Sequence, residues 1–162
     1  MNHTLAQVAR SEARKNYHGD TSAAIGNLQT LVDCFPDEQD VSVETLDQNW
    51  SGAFAYLCVK LAGIKLVPHY PDPRIGGSFA WSDCWVRYAR LPKIRLWHGA
   101  DEEPEIGDLV AFQPEEKMTL QIGIVLSVSE DVLEMAEGNY HNHSAIVERK
   151  RDSRIFGYIR LK

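Results

Sequence analysis

No run in this chain approaches the ~20 consecutive apolar residues that a bilayer span requires, so membrane insertion is not expected. The opening stretch, MNHTLAQVARSEARKN, has no continuous apolar core and does not read as a secretory signal peptide. The expected location is the cytoplasm, or release without a Sec signal. Basic charge is also short, with 17 Lys and Arg against 23 Asp and Glu, a net charge of −6. Phosphate binding relies on a basic face, so nucleic acid is excluded as a partner class. The one dense basic cluster, ERKRDSR at 148–154, carries its own acids and lies between two apolar runs, as a solvated turn would. Cysteine is scarce and odd in number, and the spacing of Cys34, Cys58 and Cys84 fits no metal motif. Three free, buried thiols in a reducing compartment are the expectation, and neither a metal nor a cofactor is called for. Internal repeats and low-complexity tracts are absent.

What is present suffices for one domain over 1–162: 162 residues, 44% of them hydrophobic, can bury a sizeable core. Leu5, Val8, Ala9 and Ala13 recur at helical spacing and predict a helix over 4–16. TSAAIGNLQTLVDCF (21–35) predicts a second, capped by Thr21 or Ser22, with Ile25, Leu28, Leu31 and Val32 as its buried stripe. PDEQDVSVETLDQ (36–48) reads as a polar connection. SGAFAYLCVKLA (51–62) is apolar on nearly every face and ends at Gly63, a suitable C′ residue, which marks a central helix. After a loop rich in Pro and Gly at 67–78, FAWSDCWVRYARL (79–91) predicts a short helix.

From about residue 104 the period changes to two. Strands are expected at 108–112, 120–128, 132–138, 145–150 and 155–161, joined by turns short enough for an antiparallel meander. Helices followed by strands predict an α+β domain, with N-terminal helices packed on a C-terminal antiparallel sheet.

Chemistry concentrates at NWSGAF (49–54), GDLVAF (107–112), QIGIV (121–125) and AEGN (136–139). A nucleophile at a helix N-terminus gains from the helix dipole and from unpaired N–H groups. A base on a neighbouring strand would take its proton, and a carboxylate or amide would orient that base. Taken together with the closing IFGYIRL, these segments resemble the CHAP domains, cysteine- and histidine-dependent amidohydrolase/peptidases of the papain-like superfamily. Most CHAP domains cut amide bonds in bacterial cell-wall peptide. The resemblance covers 45–162, leaves 1–44 as an N-terminal helical segment, and implies a papain-like fold. It places Trp50 before the nucleophile, Ser51 where the family has cysteine, Gln121 where it has histidine, and Glu137 and Asn139 where it has the residues that orient the histidine.

Both substitutions matter chemically. A hydroxyl is a far weaker acid than a thiol and needs a strong base, and a glutamine amide cannot act as one. The expectation is therefore a domain with lost or reduced hydrolysis that keeps a cleft for a peptide, such as a cell-wall stem peptide, or for a protein partner. Two alternatives stay open at the site: an active hydrolase using Ser51 with a relocated histidine, and an engineered inactive form of a cysteine hydrolase. A third reading is a scaffold or interaction protein of a phage or secretion system. Cleft candidates are Trp50, Trp81 and His141, with His143, His69 and His98 further histidines to place. Trp85 and Tyr88 read as core, Arg74 and Arg90 as exposed or carboxylate-binding, and Asp101, Glu102, Glu103 and Glu105 as a solvated connection. Ser51 also has a plain role open to it, as a helix N-cap.

Overall fold

The computed structural model describes residues 1–66 and 77–162. The helices are α1 (His3–Ala13), α2 (Gln29–Val32), α3 (Val43–Leu46), α4 (Ser51–Leu61) and α5 (Ser82–Ala89). Among the described residues six strands follow: β1 (Trp97–Gly99), β2 (Leu109–Phe112), β3 (Gln121–Val128), β4 (Val132–Tyr140), β5 (His143–Lys150) and β6 (Ile155–Ile159). They form one antiparallel sheet in the order β1-β6-β2-β3-β4-β5, so the domain is α+β. No helix among the described residues is long and apolar enough to cross a membrane.

α1 starts where the Asn2 side chain accepts the Leu5 N–H at 3.1 Å. It buries Leu5, Ala9 and Ala13 on one face and stops three residues short of the expected 16, ahead of Asn16 in the left-handed region. α4 is buried on almost every side. It ends in a Schellman motif: Ile64 N–H bonds Val59 O, Gly63 N–H bonds Lys60 O, and Gly63 supplies φ +72°.

The expected helix over 21–35 is a correction. Only Gln29–Val32 is helical, and Ile25, assigned to the buried stripe, is 90% exposed. Thr21 Oγ1 accepts the N–H groups of Ala23 and Ala24, closing a local turn that competes with helix. Gly26 lies so close to the His18 carbonyl that a Cβ there would sit 2.6 Å from it. The acidic connection, by contrast, contains α3. There Ser42 and Thr45 form a reciprocal capping box, with Thr45 Oγ1 accepting the Ser42 N–H at 2.9 Å. β1, only three residues long, carries too little period to be read from sequence.

One face of the sheet packs under the helices through Leu109, Ala111, Ile122, Ile124, Leu126, Ala136 and Ile159. The other face buries Val110, Phe112, Val125, Leu133, Met135, Ile155 and Tyr158 in a cluster made of strand residues alone. Register shifts at Ala111/Phe112, Val125/Ser127 and Glu137/Tyr140 interrupt the regular ladders. β4 and β5 are joined by His141 and Asn142, with φ of +47° and +64°, the pair of left-handed residues that a type I′ hairpin turn requires. β4 therefore runs to Tyr140, further than the alternation to 138 implies.

Candidate functional site

Ser51 is the first residue of α4 and is fully buried. Trp50 occupies the N-cap position, and no side chain caps this helix. The Ser51 hydroxyl faces outward from the helix instead: it accepts the Ile122 N–H at 3.2 Å and shares a hydrogen bond with the Ser82 hydroxyl at 2.9 Å. The capping role open to Ser51 is thereby replaced by a tie between α4, the start of α5 and the start of β3. Glycine at 52 permits this. A Cβ there would lie 2.7 Å from Ala80 O and 2.9 Å from Ser82 N, so the two segments meet backbone to backbone. Trp85 bridges the same contact, its indole N–H reaching Phe79 O at 3.0 Å and Gly52 O at 3.2 Å.

Gln121 is buried on β3. Its amide N–H donates to Thr119 Oγ1 at 3.0 Å and Leu120 O at 3.1 Å, while its carbonyl receives the Asn139 amide at 3.5 Å. Asn139 also donates to Gln48 O at 2.8 Å, just ahead of Trp50 and Ser51. Its own carbonyl oxygen, Oδ1, is buried and has no hydrogen-bond partner among the described residues, and the residue holds a left-handed φ of +65°. An unpaired buried acceptor of this kind is uncommon and costs stability.

Glu137, only 2% exposed, points to a different partner. Arg149 grips it with two bonds, Nε to Oε1 at 2.8 Å and a terminal nitrogen to Oε2 at 2.9 Å. The same guanidinium bonds Glu116 at 2.8 Å and lies 5.3 Å from the ring centres of both Phe112 and Tyr140. Burial pushes the Glu137 carboxyl above the usual range, and Arg149 pulls it back only in part.

Trp50 is fully buried and donates its indole N–H to Asn142 Oδ1 at 2.9 Å, so it is a core anchor with no open surface for a cleft. Trp81 is half-buried before α5. Trp85 and Tyr88 are core, as their spacing implies. His141 and His143 are exposed, and among the described residues no imidazole bonds Ser51. His98 bonds Glu102 at 2.8 Å. Glu103 pairs with Arg151, and Glu105 with Arg160, so the acidic stretch is tied to the sheet by ion pairs. Arg90 stacks on the Trp97 ring at 4.1 Å. His69 and Arg74 lie outside the described residues. All three cysteines are free and buried, and burial raises their thiol pKa. The Gly107-Asp108 pair immediately precedes β2 with φ +87° at Gly107, and Asp108 is held by Arg160 at 2.8 and 3.0 Å.

The sequence therefore brings Gln121 and Asn139 together and sets Asn139 against the segment leading to Ser51. Glu137 is bound elsewhere. Ser82 and Arg149 are the residues that sequence reasoning missed. Nothing in FAWSDCW distinguishes Ser82 from an ordinary helix start, and Arg149 lies opposite Leu133 in the ladder, a position that gives no sign of its reach to Glu137. Compared with known protein families, with curated proteins and with solved structures, the chain matches none.

Proposed function

We propose that this chain is a CHAP-like domain of papain-like architecture that has lost hydrolysis and acts by binding peptide, either a cell-wall stem peptide or a segment of a protein partner. The observation that carries this reading is the state of Ser51. Its hydroxyl is fully buried and engaged with Ser82 and the Ile122 N–H, neither of which can take its proton at neutral pH. Further support comes from Asn139. Its amide already reaches the side chain at 121, and its unpaired Oδ1 is the kind of acceptor left over where an imidazole N–H has been removed. A live serine hydrolase is the weaker reading, because His141, the candidate relocated base just beyond Asn139, is exposed at the tip of a hairpin.

Fluorophosphonate probes label serines whose hydroxyl is activated by a base. The chain is expected to remain unlabelled under conditions in which an active serine hydrolase reacts to completion. Labelling that disappears in Ser51→Ala would overturn the proposal.

A further inference from the structure

Two histidines far apart in sequence meet at the edge of the sheet. His18 and His143 are direct antiparallel bridge partners, and their rings lie 5.8 Å apart, centre to centre, with a tilt of 32°. Both rings are fixed through the same nitrogen. His18 Nδ1 is 3.1 Å from Gly19 O, and His143 Nδ1 is 3.4 Å from Asn16 Oδ1. A carbonyl oxygen can only accept, so in each neutral ring Nδ1 carries the proton and Nε2 keeps its lone pair. An N–H bond from the far nitrogen to a carbonyl is also how metal-ligating histidines are oriented.

The spacing suits a shared ion. Two imidazoles bound through Nε2 to one tetrahedral ion, at Zn–N of about 2.0–2.1 Å, place their ring centres about 5 Å apart. The observed centre-to-centre distance of 5.8 Å is within about 1 Å of that value.

We propose that His18 and His143 form a two-histidine site for a divalent transition cation of the imidazole-preferring class, Zn²⁺ being the probe of choice, with the remaining coordination positions left to water. Among the described residues no group of three or more His, Cys, Asp or Glu side chains converges on a metal, so this pair is a site of modest affinity that acts as a clasp. The clasp joins the segment around residues 16–19 to the β4–β5 hairpin. That junction is already held by Ser144 N–H to Tyr17 O at 2.8 Å and Gly19 N–H to Asn142 O at 3.1 Å. Asn142 in turn accepts from Trp50, next to Ser51, so an ion on the histidine pair tightens the turn that anchors the start of α4. The inference stands independently of any hydrolase ancestry.

The test is a Zn²⁺ titration of the full chain, followed by NMR of the histidine side chains and by thermal unfolding. The expected result is saturable one-to-one binding, with shifts confined to His18 and His143 and an unfolding midpoint that rises with free Zn²⁺. His18→Ala and His143→Ala should each abolish the rise, while His3→Ala, His98→Ala and His141→Ala retain it. If an alanine variant unfolds on its own, His143→Gln keeps the hairpin position polar and serves in its place. No binding at about 1 mM free Zn²⁺, or binding that survives in the His18→Ala/His143→Ala double variant, would overturn the proposal.

Discussion

Arg149→Met is expected to cost about 3–5 kcal/mol of stability at neutral pH, because it strands a buried carboxylate without its counter-charge. Glu137 is 2% exposed, and Arg149 donates to both of its carboxylate oxygens. Removing the pair together should hurt less: Glu137→Gln with Arg149→Met leaves no buried charge, so the double variant is expected to be the more stable of the two.

The pH dependence follows from the direction of the Glu137 shift. Burial raises the folded-state pKa above the unfolded value, so the protonated form is the one folding favours. Stability from this group is fully present below the unfolded pKa and is lost as pH rises through the folded one. Without the guanidinium, which opposes burial, that folded pKa moves higher still. The deficit of Arg149→Met relative to the parent should therefore be largest near pH 8 and shrink toward about pH 5. Urea unfolding at a series of pH values measures it. A deficit independent of pH would mean that lost packing on Phe112 and Tyr140, not the stranded charge, sets the cost.

Gly138→Ala is the second large effect. A Cβ at 138 would sit 2.4 Å from Phe54 Cβ and 3.1 Å from Trp50 Cε3, atoms fixed to the first turns of a buried helix. Neither can move without shifting α4, so a loss of about 1–3 kcal/mol or more is expected. Gly123→Ala is the internal control. Its close contact is Met135 Cε, the far end of a flexible side chain, so its cost should be the smaller of the two. Because Gly138 precedes Asn139, displacing β4 from α4 also disturbs the site. Comparable losses for the two alanines would show that the α4–β4 contact is softer than its geometry implies.

Much of this architecture is written locally. QIGIVLSV alternates so regularly that Ile122, Ile124 and Leu126 fall on the helix-facing side of β3. The unbroken apolar character of SGAFAYLCV marks α4 as central, and eight of its residues are buried. What sequence did not reveal depends on contacts distant along the chain. Residues 21–28 have helical composition, but Thr21 closes a turn and Gly26 is pressed onto the His18 carbonyl. At the site, the spacing of QIGIV and AEGN suits an antiparallel pair, with Gln121 at the start of β3 and Asn139 near the end of β4, their side chains 3.5 Å apart. It says nothing of Arg149, which captures Glu137 from the neighbouring strand, or of Ser82, which meets Ser51 across the junction of two helices. Periodicity records which face a residue takes, whereas a hydrogen-bond partner across elements leaves no periodic trace.

The proposed function is to bind peptide without cutting it. Its most direct test is incubation of the parent chain with peptidoglycan and with synthetic stem peptides, following cleavage by mass spectrometry and binding by NMR on the same samples. Saturable shifts at residues around Ser51, Gln121 and Asn139, with no cleavage product, are expected. Cleavage by the parent that is abolished in Ser51→Ala would contradict it.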